Sequence, residues 1–213
     1  FSEHQWKKLI FFARKIGYKN IYADVLGLKA FRVAKKLRLN GYKVHSTDLT
    51  NDLLLKKISI ENKKIFLSIG GAKIIEIYHA IKLLKKRKKE IVLMHGFQSY
   101  PTKIGDTNLD NIKYLQKCFG KKVSYGFQDH ISANDKFNLY VSLVSLGYEI
   151  NYLEKHITLN RKKKGIDYYS SLEPKEFKKF CNIVQKSKTG MSINKSGYSF
   201  SEDKYRKSTK KLG

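Results

Sequence analysis

Val123-Ser124-Tyr125-Gly126-Phe127-Gln128-Asp129-His130, a helical stretch, Ile150-Asn151-Tyr152-Leu153-Glu154-Lys155-His156-Ile157-Thr158, then Gly165-Ile166-Asp167: these residues decide how the whole chain is read. Two short apolar strands each run into a histidine. A parallel α/β barrel carries its chemistry on the rim where its strands end. Two imidazoles delivered to one rim make a metal site with positions left open for a substrate. From spacing alone, hydrogen-bonded structural imidazoles compete with that reading.

Working outward, the same alternation recurs. The pattern predicts strands at 20–23, 42–45, 64–68, 90–94, 123–125 and 150–153, with helices between them. Ser2-Glu3-His4-Gln5 is a capping-box pattern. It opens a helix over 3–16 that is expected to bury Trp6, Leu9, Ile10 and Ala13. Ser171-Leu172-Glu173-Pro174 opens the last long helix, with proline at its start. Strict alternation of strands and helices implies a parallel sheet with right-handed crossovers. The fold class is therefore α/β, a (β/α)8-type TIM barrel, here incomplete with about six parallel strands. Residues 1–190 form the partial barrel, and the Lys/Ser/Gly-rich 191–213 is a tail or linker. An open doubly wound sheet is the competing fold, but no glycine-rich dinucleotide fingerprint follows any strand. The chain opens at Phe1 inside a predicted helix and is expected to be a piece of a longer protein.

The charge is extreme: 44 basic against 18 acidic side chains, a formal +26. A nucleic-acid role is nevertheless disfavoured. Only six of the basic residues are arginine, whereas base and phosphate readers lean on the arginine fork. The lysines are spread over nearly every helix and turn. The densest run, Lys85 to Lys89, closes a helix, where cations suit the dipole. Such a protein still favours anionic substrates. No apolar run approaches the ~18 residues that cross a bilayer, so no membrane role is expected. Cys118 and Cys181 sit in amphipathic helical segments and read as buried free thiols of a reducing, cytoplasmic compartment.

Polar residues follow nearly every strand: Asp24; Ser46 and Asp48; Ser68; His95, Gln98 and Tyr100; Asp129 and His130; His156. Lys43 is the sharpest oddity. A lysine inside a barrel strand that faces the interior needs an anion partner; facing outward, it would snorkel at the rim. His45 faces away from Lys43 if the strand alternates strictly and reads as structural. His4 and His79 read as helix-surface residues.

With these stretches in hand, the chain resembles the barrel domain of the sialic acid synthases. The matching segments are Lys43 to Asn51, Leu67 to Ala72 with Glu76, His95 to Thr102, Tyr125 to His130, Leu153 to Thr158, and Gly165-Ile166-Asp167 followed by Ser171 to Pro174. They stand in family order with near-family spacing. The resemblance implies condensation of phosphoenolpyruvate with an N-acyl hexosamine, N-acetylmannosamine-like, to a nine-carbon keto sugar acid. It implies that His130 and His156 hold a divalent metal, Mn2+ with Mg2+ as the alternative, and act in catalysis with Lys43. Lys43, Ser46, Ser68, Gln98 and Gln128 would hold phosphoenolpyruvate. Asp48, Tyr100 and Asp167 would face the sugar. The full-length parent would be a homodimer carrying two further strand–helix units at its start and an antifreeze-like domain at its end. The 213-residue piece alone is expected to be inactive.

Three residues depart from the family pattern. Gln98 stands where an asparagine is usual, and Gln128 where a small hydroxyl residue is usual. Asp24 stands where a threonine would help hold phosphate, and a carboxylate there repels phosphoenolpyruvate unless it is paired or protonated. These departures sustain a second reading, a degenerate barrel kept as a non-catalytic binding module. A polyanion-binding protein is the third.

Overall fold

A computed structural model describes residues 1–85, 90–97, 99, 101–191, 197 and 199–209. The element order is α1 (Glu3–Lys15), β1 (Tyr22–Val25), α2 (Gly27–Lys36), β2 (Gly41–Val44), α3 (Asp52–Ser59), β3 (Lys64–Ser68), α4 (Ile74–Leu84), β4 (Ile91–His95), α5 (Asn111–Phe119), β5 (Ser124–Asp129), α6 (Asn138–Leu146), β6 (Tyr152–Lys155), α7 (Pro174–Gly190) and α8 (Phe200–Thr209). The six strands pair in the order β1-β2-β3-β4-β5-β6, each pair parallel. β1 and β6 are the outer strands. Two compact units divide the chain, Phe1–Glu173 and Pro174–Gly213. The second contains α7 and α8, so a helix forms within the stretch read as linker. The basic run at 86–89 lies outside the described residues.

Alternation along each strand sorts side chains onto two faces. On one face Tyr42, Val44, Ile65, Leu67, Leu93 and Phe127 are buried. This is the helix side: Tyr42 meets Phe31 of α2 ring to ring at 5.2 Å, and the Tyr125 hydroxyl donates to the Gly120 carbonyl after α5 at 2.7 Å. The other face is concave, because its side chains reach strands that are not neighbours. Lys64 of β3 donates to the Tyr152 hydroxyl of β6 at 2.5 Å, and Phe66 meets Tyr152 edge-on at 5.0 Å. Gly126 makes room for this crowding, since a Cβ there would lie 2.5 Å from the Met94 sulfur. The result is a half-barrel with helices on its outside, with Lys64, Glu90, Ser124 and Tyr152 tied together at the end where the strands begin.

Two expectations need correction. The α1 capping box forms as read: Ser2 Oγ accepts from the Gln5 amide at 3.2 Å, and the Ser2 amide donates to Gln5 Oε1 at 2.7 Å. None of α1 is buried, however; Trp6 is 39% and Leu9 45% exposed. The helix lies beside α2, with Lys36 bridging to Glu3 at 2.8 Å. No described strand stands beyond β1 for its apolar face to cover. Nor are the cysteines buried: Cys118 is exposed and Cys181 half-exposed, both as free thiols.

Candidate metal and anion site

The site grows from the C-terminal ends of β5 and β6. Their register pairs Gln128 with Glu154 and Asp129 with Lys155, so His130 and His156 leave the sheet side by side. Their ring centroids are 5.0 Å apart, tilted by 52°. Glu154 precedes His156 by one strand period and shares its face. His130, Glu154 and His156 offer ligand atoms that all lie within 4.8 Å of one another. Among the described residues, His130 Nδ1 and His156 Nε2 are buried without a hydrogen-bond partner. Buried polar atoms are almost always satisfied, so two such orphans on neighbouring rings fit a metal ion.

The electrostatics agree. Burial, then the neighbouring His156, pushes the His130 pKa down to about 4, although Glu154 pulls the other way. His130 is therefore neutral at pH 7, as a metal ligand must be. A histidine whose folded pKa lies below its unfolded value of ~6.5 takes up protons preferentially in the unfolded chain. The metal-free protein then keeps full stability above pH ~6.5 and loses it as pH falls towards 4, by about 2 kcal/mol between pH 7 and pH 5. Urea denaturation at those two pH values should show the loss, and a His130→Gln variant should flatten it. An equal slope in that variant would place the titrating group elsewhere.

Lys43 faces the concave side. Its ammonium lies 2.6 Å from Glu154 Oε1 and 3.8 Å from Asp24 Oδ2, with only 16% of the side chain exposed. The interior lysine thus has its anion partner, supplied by the strand at the far edge of the sheet. Burial raises the Asp24 pKa while Lys43 opposes the rise. Asp24 is therefore a paired carboxylate, the condition under which one is tolerated at that position.

A cleft of about 470 Å3 brings together Lys43, Ser46, Ser68, Gln128, His130, His156 and Asp167, with Asp24 and Phe97 at its walls. Ser68 donates to Gln128 Oε1 at 3.0 Å, and Gln128 Nε2 donates to the Gly96 carbonyl at 2.6 Å. Asp167, in the left-handed region at φ 56°, sets a carboxylate oxygen 3.9 Å from His156 Nδ1. A larger hollow of about 740 Å3 lies between α5 and α6, walled by Phe137, Tyr140 and Val144. It has no histidine or lysine, so chemistry and not size selects the rim.

Asp48 does not line the cleft. Its Oδ2 accepts from the Gly27 amide at 2.8 Å and its Oδ1 from Asn51 Nδ2 at 2.7 Å. An Asp48→Ala variant should lose about 1 kcal/mol and about 2–4 °C of thermal midpoint, read by calorimetry. An unchanged midpoint would leave this carboxylate free for a ligand. Gln98 and Tyr100 lie outside the described residues. His45, read as structural, caps the 3-10 turn by accepting from the Thr47 amide at 3.4 Å, and it also lines the cleft. β2 ends at Val44 and the chain enters a 3-10 turn at Ser46–Asp48, so strand alternation no longer governs where His45 points. Glu154 was missed, and the signal was available: it stands two residues before a candidate ligand on the same strand face.

The profile of the NeuB family matches residues 1–195. Over 185 residues the chain is 34% identical to the uncharacterized protein MJ1065 of Methanocaldococcus jannaschii, covering 86% of this chain and 52% of that protein. It is 31% identical over 201 residues to the N,N'-diacetyllegionaminic acid synthase of Campylobacter jejuni, covering 93% of this chain and 58% of that enzyme. The chain thus spans a little over half the length of these relatives. Among solved structures it is similar to the N-acetylneuraminic acid (sialic acid) synthetase of Leptospira borgpetersenii in complex with citrate. That match has a TM-score of 0.85 and 26% identity, covering 98% of this chain and 72% of that one.

Proposed function

The chain belongs to the NeuB family, and from that premise we propose that it is the strand-end part of a nonulosonic acid synthase barrel, which condenses phosphoenolpyruvate with an N-acyl hexosamine in carbohydrate biosynthesis. The observation that carries the reading is the convergence of His130, Glu154 and His156, with Lys43 2.6 Å from Glu154, beside the cleft that Lys43, His130 and His156 line. His130, His156 and, by its position, Glu154 would hold a divalent cation, Mn2+ or Mg2+. The cation would supply Lewis acidity to the aldehyde oxygen of an open-chain amino sugar and orient it.

The chain's own groups do the rest. The Lys43 ammonium and the Ser46 hydroxyl would cradle the phosphate and carboxylate of phosphoenolpyruvate, joined by Ser68 once its hydroxyl turns from Gln128 to the anion; a cation beside hydroxyl donors suits a multiply charged anion. In the ligand-free chain Gln128 Oε1 accepts the Ser68 hydroxyl. Asp167 would face the sugar. The enol carbon then attacks the aldehyde carbon, water adds to the phosphate-bearing carbon, and phosphate leaves with C–O cleavage. The parent would act as a cytoplasmic homodimer.

The test is titration of the chain with Mn2+, then assay with phosphoenolpyruvate and N-acetylmannosamine. Micromolar Mn2+ binding without turnover is the expected result, because among the described residues no strand pairs the outer edge of β1 or of β6. Turnover by the 213-residue chain would overturn its expected inactivity. Absence of Mn2+ binding would favour the degenerate barrel kept as a binding module.

A further inference from the structure

Lys155 and Asp129 form an ion pair, Nζ to Oδ2 2.7 Å, with both side chains fully shielded from solvent. The two residues are register partners across β5 and β6, and each immediately precedes one of the converging imidazoles. Successive strand residues point to opposite faces, so the pair lies on the helix side and takes no part in lining the cleft. The Asp129 carboxylate does more than pair. It accepts from Ser142 Oγ of α6 and, through Oδ1, from the Ile131 amide at 2.9 Å. One carboxylate therefore closes a turn around His130, binds the neighbouring strand beside His156, and anchors both to a helix.

A buried ion pair is a poor way to add stability, because apolar residues of similar shape serve as well or better; its attested use is to specify register. Register matters here above all, since a slip of one residue between β5 and β6 would turn His156 to the opposite face. We propose that Asp129 and Lys155, with Ser142, are positioning residues: they hold the ends of β5 and β6 in the single register that brings the His130 and His156 rings together. The consequence for metal binding rests on the reading given under Proposed function; the consequence for ring proximity does not.

The experiment compares the parent chain with D129L/K155M, S142A and, as a control at the far end of the barrel, E90Q. Two quantities are read: the nuclear Overhauser contact between the His130 and His156 rings, and Mn2+ affinity by titration calorimetry. The parent should show the ring contact. D129L/K155M should fold, by circular dichroism, yet lose the contact and bind Mn2+ at least tenfold more weakly. S142A, which removes one hydrogen bond to Asp129, should weaken Mn2+ binding about two- to fivefold and serves as the deciding variant if the double substitution does not fold. E90Q should lower the thermal midpoint while leaving contact and affinity intact, which separates positioning from general destabilisation. A folded D129L/K155M with the parent's ring contact, or S142A with the parent's contact and affinity, overturns the proposal. A parent chain with the ring contact but no Mn2+ binding would fail the metal reading alone, and the ring contact in the variants would still decide the positioning claim.

Discussion

His130→Ala should weaken Mn2+ binding by at least a hundredfold, about 3 kcal/mol or more, with His156→Ala close behind. The ring contributes one of two buried nitrogens that no described group satisfies, and burial pushes its pKa down to about 4, so the ligand is fully deprotonated when the ion arrives. Alanine leaves Glu154 and one imidazole, too few donors for tight binding of a divalent transition metal. The same variant should cost little stability in the metal-free chain at pH 5, where the neutral buried imidazole is a liability. Calorimetric titration at pH 7 and urea denaturation at pH 5 read the two effects separately. Parent-like Mn2+ affinity in His130→Ala would remove the metal centre from this rim.

Lys43→Met should move two affinities in opposite directions. The ammonium lies against Glu154 at 2.6 Å and near Asp24 at 3.8 Å. Without it two carboxylates face the cleft unbalanced, and phosphoenolpyruvate should bind at least a hundredfold more weakly, about 3 kcal/mol. Glu154, released from its partner, becomes a better cation ligand, so Mn2+ should bind several-fold tighter; unit charges about 4 Å apart near a protein surface interact by about 4 kcal/mol before screening. Glu154 is 30% exposed, so the stability cost is smaller than for a fully buried pair, about 1–2 kcal/mol, and Mn2+ should restore it. Binding of phosphoenolpyruvate as in the parent would mean that Lys43 is a structural partner of Glu154 and no anion clamp.

These effects show why half of the site was legible and half was not. Histidines placed directly after apolar strands announce a rim position, because strand ends and loops are local. Ser46 and Ser68 were found the same way, and both line the cleft. Glu154 needed more. Lys43 meets Glu154 across the half-barrel, from β2 to β6, at a sequence separation of 111, and no local pattern records which strand curves round to face which. The Asp48 carboxylate accepts from the Gly27 amide at the start of α2, a demand visible only once the turn exists. The exposed face of α1 reflects the same limit, since periodicity shows that a helix has an apolar side but not whether anything lies beneath it.

The sequence by itself determined a parallel strand–helix alternation, its rim of polar strand ends, and two histidines on adjacent ends, because periodicity and punctuation are properties of neighbours along the chain. Only the tertiary structure decided that the rings face one another 5.0 Å apart, that Glu154 joins them, and that Lys43 is already paired. Those facts depend on sheet curvature and on burial, which sum contributions from residues far apart in sequence, and burial is also what holds His130 neutral.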